Sequence, residues 1–538
     1  MADDRRDAIG PPFPPDYRAS GILAHVSSLP SDRSIGDLGP AARQWFDLLR
    51  AAGQTWWQIL PLGPVGEGNS PYCSPSSFAA NELLISPDDL IEDGLLQPGD
   101  CAENAPTTTL VDYAAVIPSK ERLVGEAWRR FLAGVRADLR SPFDAFCRDQ
   151  GHWLDDYALF CALKARFGGR SYLEWPSELV RRDSSALAAA RHELAAQCTR
   201  TRFGQFLAFR QGIRLKEYAH SKGVNLLGDL PFYVSPESSD VWAEPQLFRL
   251  DERRRPLFVA GVPPDYFSAV GQLWGNPVYD WKALKRTAYR WWIDRLRAPL
   301  MHFDMVRLDH FRAFAAGWHV PAGSATAASG TWVAGPGADF FAVAQAAIGR
   351  LPFLAEDLGL ITLDVVALRD RFALPGMRVL QFAFDGASDN PHLPVNYGHN
   401  AVVYTGTHDN PTSRGWFESL PDWLRENVRK SLNRPAATCE DAASTLVEVA
   451  WGSAAALAIA PLQDVLNLGN EARMNRPGEA EGSWRWRCTA PMLTSVAWQW
   501  LRSLTLNSNR ASEVEHKGRV LGTGPQLDQS SGPILASL

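Results

Sequence analysis

Asp304-Met305-Val306-Arg307-Leu308-Asp309-His310-Phe311 sets an arginine, two aspartates and a histidine among four apolar residues. A strand repeats every two residues, so Arg307 and Asp309 share one face while Val306 and Leu308 share the other. An aliphatic strand that also carries a cation and a carboxylate needs a reason for doing so. Two reasons fit: a structural ion pair near a strand end, or a carboxylate kept ionised by the neighbouring guanidinium, as a nucleophile requires. Other stretches of the same form decide between them. Val224-Asn225-Leu226-Leu227-Gly228-Asp229 ends in an acid, Phe353-Leu354-Ala355-Glu356-Asp357 ends in two, and Ala401-Val402-Val403-Tyr404 runs through Thr405-Gly406-Thr407-His408 to Asp409. Parallel strands that present acids along one rim are how a (β/α)8 barrel assembles an active site. The expected fold class is therefore α/β, a (β/α)8 TIM barrel with long, mainly helical insertions between its strands.

Working outward, residues 1–20 read as a loose leader, with barrel strands at 21–26 and 56–61 and a helix over about 40–52 between them. A Gly/Pro-rich loop, 63–68, leads to Ser70-Pro71-Tyr72. Residues from about 64 to 220 are expected to form a helical insertion, including an Ala-rich helix at 186–196 capped by Asp183 or Ser184. Residues of about 235–283 carry few helix signals and many Gly, Pro and aromatic residues, among them Gly271-Gln272-Leu273-Trp274-Gly275-Asn276-Pro277. A long loop of that composition at a barrel top is expected to cover substrate. A helix at about 284–301 delivers the central strand, and later strands fall at about 352–356, 377–382, 401–407 and within 454–461. The barrel spans 21–503, and 504–538, where Gly, Ser and Gln dominate, reads as a disordered tail.

A chain of 538 residues exceeds the roughly 250 of a bare barrel, which is why insertions are expected. A net charge of −6 leaves no electrostatic footprint for nucleic acid or an anionic membrane. No secretory or transmembrane run is visible. Seven scattered cysteines without a CxxC spacing argue for reduced thiols in a cytoplasm and against a disulfide framework or a zinc site. Cys73, beside Tyr72, is expected to pack passively. No metal and no cofactor is expected: loop 63–68 lacks the Lys-Ser/Thr ending of a phosphate loop, and Ser70 has no His–Asp relay.

With the acidic strand ends in place, residues from about 20 to 500 resemble the amylomaltases, the 4-α-glucanotransferases of glycoside hydrolase family 77. The resemblance rests on Trp57-Gln58-Ile59-Leu60-Pro61-Leu62-Gly63-Pro64, Gly228-Asp229-Leu230-Pro231, Gly271–Pro277, Arg307/Asp309/His310, Ala355-Glu356-Asp357-Leu358-Gly359, Thr405-Gly406-Thr407-His408-Asp409-Asn410, Met474-Asn475 and Trp484-Arg485-Trp486-Arg487. It implies that Asp309 is the nucleophile, Glu356 the general acid/base and Asp409 a third, transition-state-stabilising carboxylate. It further implies that Arg307, His408, Asp229, Tyr72, Ser70, Gln272, Trp274 and Asn475 contact substrate. Malto-oligosaccharides and α-1,4-glucans derived from starch or glycogen are the implied substrates. Two departures from the family pattern stand out: Val395 before Asn396-Tyr397, where histidine is usual, and Pro411 after His-Asp-Asn, where an acid is usual.

The chemistry agrees with those roles. Retaining glycoside transfer needs one ionised carboxylate to attack and one protonated carboxyl to assist departure. Arg307 favours the first state on Asp309, and burial among acids favours the second on Glu356. Asp357, beside Glu356, is the competing candidate for the acid. A hydrolase of the α-amylase kind would use the same three acids; the insertion and the 271–277 segment favour transfer, because both can keep water from the site.

Overall fold

The computed structural model describes residues 11–101, 108–264, 269–434, 438–479 and 481–511. Its strands are β1 (Ala19–Leu23), β2 (Trp56–Gln58), β3 (Asn225–Leu230), β4 (Phe258–Val262), β5 (Gln272–Pro277), β6 (Met305–Leu308), β7 (Ala316–Pro321), β8 (Thr331–Ala334), β9 (Phe353–Ala355), β10 (Gly376–Val379), β11 (Ala401–Tyr404) and β12 (Leu457–Pro461). Eight of them close a barrel in the order β1-β12-β11-β10-β9-β6-β3-β2. Every pairing around it is parallel. Parallel strands covered on both faces must be apolar along their length. β1, β2, β9, β11 and β12 are buried at every position, which explains why they read as continuous apolar runs.

Between β2 and β3 lies the helical insertion, with helices Tyr113–Leu132, Arg140–Asp149, Gly151–Arg166 and Ala195–Ser221. It has an aromatic core of its own, in which Phe131 and Phe203 stack at 4.7 Å and Phe143 and Phe206 close the sides. The Ala-rich helix runs over Ser184–Glu193, and a new helix starts at Ala195. Asp183 occupies the position before it without capping it; its carboxylate faces Arg181 at 3.3 Å instead.

Several expectations need correction. The segment read as a covering loop contains two strands, β4 and β5, which join β7 and β8 in a separate sheet of order β5-β4-β7-β8. Gly261 permits the pairing: a side chain there would meet the Gln272 carbonyl at 2.4 Å. Pro277 is tolerated because it ends an edge strand. The helix expected at 284–301 is two helices, Trp281–Arg286 and Arg290–Leu300, parted where Ala288 and Tyr289 take positive φ of 50° and 55°. The leader, finally, is packed over its described part. Phe13 and Tyr17 are buried, and the Trp56 indole N–H donates to the Tyr17 hydroxyl at 2.7 Å. Residues 1–10 lie outside the described residues.

The segment expected to be a tail also contributes to the fold before it leaves the described residues at 511. The helix Ser495–Asn507 is followed by Arg510, which is fully buried. Its guanidinium donates to the carbonyls of Ala19 in β1 and of Trp451, Ser453 and Ala455 on the approach to β12. It therefore sits on the seam where the first and last barrel strands meet. Among the described residues no helix is long and apolar enough to cross a membrane.

Candidate active site

The C-terminal ends of β3, β6, β9 and β11 gather the strand-end acids at one rim of the barrel. Register does the first part of the work: Asp229 and Arg307 are direct partners across β3 and β6. The Arg307 guanidinium, 4 % exposed, donates to both Asp229 oxygens at 2.9 and 2.8 Å. It also lies 3.0 Å from Asp309 Oδ1. Burial opposes the Arg307 charge, but Asp229 and Asp309 together outweigh it and hold the guanidinium more firmly protonated than usual. The Asp229 side chain is closed off from solvent, whereas that of Asp309 remains 28 % exposed toward the cleft.

Glu356 follows β9. Its Oε2 accepts the N–H of His310 at 2.8 Å and its Oε1 accepts the N–H of Leu358 at 3.0 Å. His310 immediately follows Asp309, so the Glu356 carboxyl is held within one residue of the Asp309 carboxyl. Presenting that N–H requires His310 to take a left-handed φ of 47°, a strained conformation for a residue with a side chain. Desolvation raises the Glu356 pKa to about 8; the Arg307 guanidinium opposes the rise and the Asp309 carboxylate adds to it. Asp357 is engaged elsewhere. It is bound by Arg369 at 2.5 Å, by Arg378 at 3.3 Å and by the Met377 N–H at 2.7 Å.

Asp409 lies beyond β11 with its side chain 45 % exposed. The Asn475 amide donates to Oδ1 at 2.6 Å, and His408 Nε2 lies 3.3 Å from Oδ2. Desolvation would raise its pKa, but His408 and Asn475 together hold it below the usual carboxylate range. Arg473 Nη2 donates to the Asp409 carbonyl at 2.6 Å, and its Nε donates to the Asn475 carbonyl at 2.7 Å.

The Tyr72 ring stacks on His408 at 5.1 Å, and its hydroxyl donates to Asp229 at 2.7 Å. It thereby joins the β3 acid to the β11 loop. Ser70 does not reach the acids; its hydroxyl accepts the Tyr72 N–H and shapes the turn that presents the ring. Beside Tyr72 and Asp229 the cleft continues toward the insertion as a pocket lined also by Ser74, Tyr233, Arg295 and His302. Burial pushes the Cys73 thiol up, away from a reactive thiolate. Gln272 and Trp274 lie on the same face of β5, the indole N–H donating to the Gln272 side-chain Oε1 at 3.1 Å. Trp274 is 38 % exposed and meets the His310 ring edge-on at 4.9 Å. Sequence reading missed two contributors, the His310 main chain and Arg473. The first leaves no trace in residue type, and the second carries no motif beyond its nearness to Met474-Asn475.

A family model described as 4-alpha-glucanotransferase, glycoside hydrolase family 77, matches residues 24–494. The chain is 48% identical over 477 residues to a 4-alpha-glucanotransferase of Synechocystis sp., covering 88% of this chain and 94% of that one. It is 46% identical over 475 residues to a 4-alpha-glucanotransferase of Thermus thermophilus, covering 87% and 94%. Its fold is similar to that of an amylomaltase from Streptococcus agalactiae solved in complex with acarbose, with a TM-score of 0.88 at 35% identity, covering 92% of this chain and 100% of that one.

Proposed function

Because the chain belongs to the 4-alpha-glucanotransferase family, glycoside hydrolase family 77, we propose that its strand-end acids move a 1,4-α-glucan segment by double displacement. The enzyme transfers glucan segments; the residue roles are as follows. The Asp309 carboxylate attacks the anomeric carbon of a donor malto-oligosaccharide while Glu356 gives its proton to the departing glycosidic oxygen. A glucosyl ester on Asp309 results, and the shortened glucan leaves. Glu356, now ionised, takes the proton of an acceptor 4-OH as that oxygen attacks the same carbon, and Asp309 is released with net retention. Asp409 binds ring hydroxyls and offsets the positive charge that develops on the sugar. Arg307 pairs with the Asp309 carboxylate and holds it in place. Tyr72, His408 and Asn475 line the sugar ring that loses its bond, Asp229 holds Tyr72 and Arg307 in place behind them, and Gln272 and Trp274 offer a hydrogen-bonding and stacking face.

The observation that carries this reading is the link between the two reacting carboxyls: Glu356 holds the N–H of the residue after Asp309, and Arg307 bridges Asp309 and Asp229. A pKa of about 8 on Glu356 supports an acid that keeps its proton at neutral pH. Glucans derived from starch or glycogen are the substrates this chemistry fits, and the free cysteines fit a reducing cytoplasm. Incubation with maltotriose alone tests the proposal. Transfer conserves the number of glycosidic bonds, so glucose and longer oligosaccharides accumulate at a constant count of reducing ends. A count that rises with glucose release would mean that water is the acceptor.

A further inference from the structure

The loop that carries His408 and Asp409 leaves β11 at Thr405 and re-enters regular structure at Ser413, the first residue of the helix Ser413–Ser419. Between those points the Thr407 N–H and hydroxyl both donate to Asn410 Oδ1, at 2.9 and 2.7 Å, while Asn475 and Arg473 reach Asp409 from outside the loop. Its two ends are joined by one buried side chain from the neighbouring strand. Asp464, 2 % exposed and three residues after β12, accepts the Thr405 hydroxyl at 2.6 Å, the Ser413 hydroxyl at 2.6 Å and the Ser413 N–H at 2.7 Å. From the other side Gln381, just after β10, donates to the Pro411 carbonyl at 3.0 Å. The fit there is tight, since a side chain on Gly406 would meet Gln381 Nε2 at 2.6 Å. The strands on both sides of β11 thus hold the loop, and Asp464 fixes the distance between its ends.

We propose that Asp464 is a positioning residue for the reaction, a clamp that sets His408 and Asp409 against the sugar by tying Thr405 to Ser413. The inference rests on Asp409 acting on the sugar ring. Three charge-assisted hydrogen bonds to one buried carboxylate are among the strong interactions a loop can have, and their geometry leaves Asp464 nothing to offer substrate directly. Loosening them lets the Asp409 carboxylate drift, and a misplacement of about 1 Å at a reacting group costs on the order of 10²-fold in rate.

The test compares Asp464→Asn with the milder pair Thr405→Val/Ser413→Ala, which removes both hydroxyl donors, and with Thr405→Ser, which keeps both. Rates are measured per folded enzyme on maltotriose and on α-maltosyl fluoride. Asp409 acts on the ring and not on the leaving group. The clamp variants should therefore lose kcat by about 10–100-fold on both donors with KM little changed, and Thr405→Ser should restore the rate. Turnover per folded enzyme that stays at the wild-type level while the melting temperature falls would overturn the clamp and leave Asp464 a residue of the fold alone. Asp409→Asn reports separately on the premise. If it is inactive while the clamp variants are not, only the clamp fails; if it is fully active, the reading of Asp409 fails and the clamp with it.

Discussion

Glu356 and Asp357 are adjacent acids at the end of the same strand, and their surroundings divide them. Asp357 meets two guanidiniums and a main-chain N–H, while Glu356 faces the cleft with two main-chain N–H groups and a pKa of about 8. Glu356→Gln should therefore abolish transfer from maltotriose yet leave the enzyme able to be glycosylated by a maltosyl fluoride, which needs no proton; because the second step still lacks its base, the maltosyl adduct should accumulate, and the mass of the intact protein checks this. A raised carboxyl pKa means the proton is held up to about pH 8 and lost above it, so kcat/KM should decline as pH passes through about 8. The Asp309 charge contributes to the rise. Asp309→Asn should therefore lower the Glu356 pKa, which a carbon-13 titration of the carboxyl would read, and should lose roughly 10⁴-fold or more in turnover as the nucleophile disappears. The acids were legible in the sequence because a carboxylate at the end of an apolar strand conflicts with local pattern, and such conflicts mark function. What separates Glu356 from Asp357 was not, since Arg369 and Arg378 reach it only through the folding of the next helix and strand.

At the scale of elements, the sheet β5-β4-β7-β8 differs most from what the sequence suggested. Gly271, Gly275 and Pro277 read as breakers, and their density hid the period-two alternation that sets Gln272, Trp274 and Asn276 on one face. The barrel strands were legible for the opposite reason, since burial on both faces makes a short apolar run that composition alone reveals. The consequence for Trp274 is mechanical. A loop moves one residue at a time, but Trp274 sits in a strand paired to β4 and meets His310, the residue beside the nucleophile. It is therefore held as a wall of the cleft. Gln272→Ala with Trp274→Ala should raise the ratio of hydrolysis to transfer while donor cleavage stays within a few-fold, because the pair covers the intermediate without touching the acids. Glucose release with and without added maltose gives that ratio. A uniform drop in both reactions would mean the pair serves the sheet.

For the whole molecule, the decisive joint is the seam of β1 and β12 with Arg510 upon it. Arg510 lies on the side of the barrel away from the strand-end acids, where barrels keep stability and not chemistry. Removing it takes a charged donor from this cluster of carbonyls; Trp451 and Ser453 keep Arg18 and Ala456 keeps the Ala19 N–H, and any buried carbonyl left without a donor costs about 1–3 kcal/mol. Arg510→Met should thus lower the urea midpoint markedly while turnover per folded molecule stays unchanged. An unaltered midpoint would mean that water reaches those carbonyls. Sequence reading assigned this residue to a tail, because five carbonyl partners drawn from Ala19 and from 451–456 leave no local signature. The same seam also has a timetable. β1 pairs with β12 along all five of its residues, and every one of them is buried in the finished fold. At about 5–20 residues per second, a ribosome needs tens of seconds to travel from Leu23 to Leu457. Throughout that interval β1 presents an unpaired edge, and an unpaired edge is a template for any strand that arrives first. Codon speed between the two strands therefore sets how long each nascent chain stays vulnerable to its neighbours on a polysome.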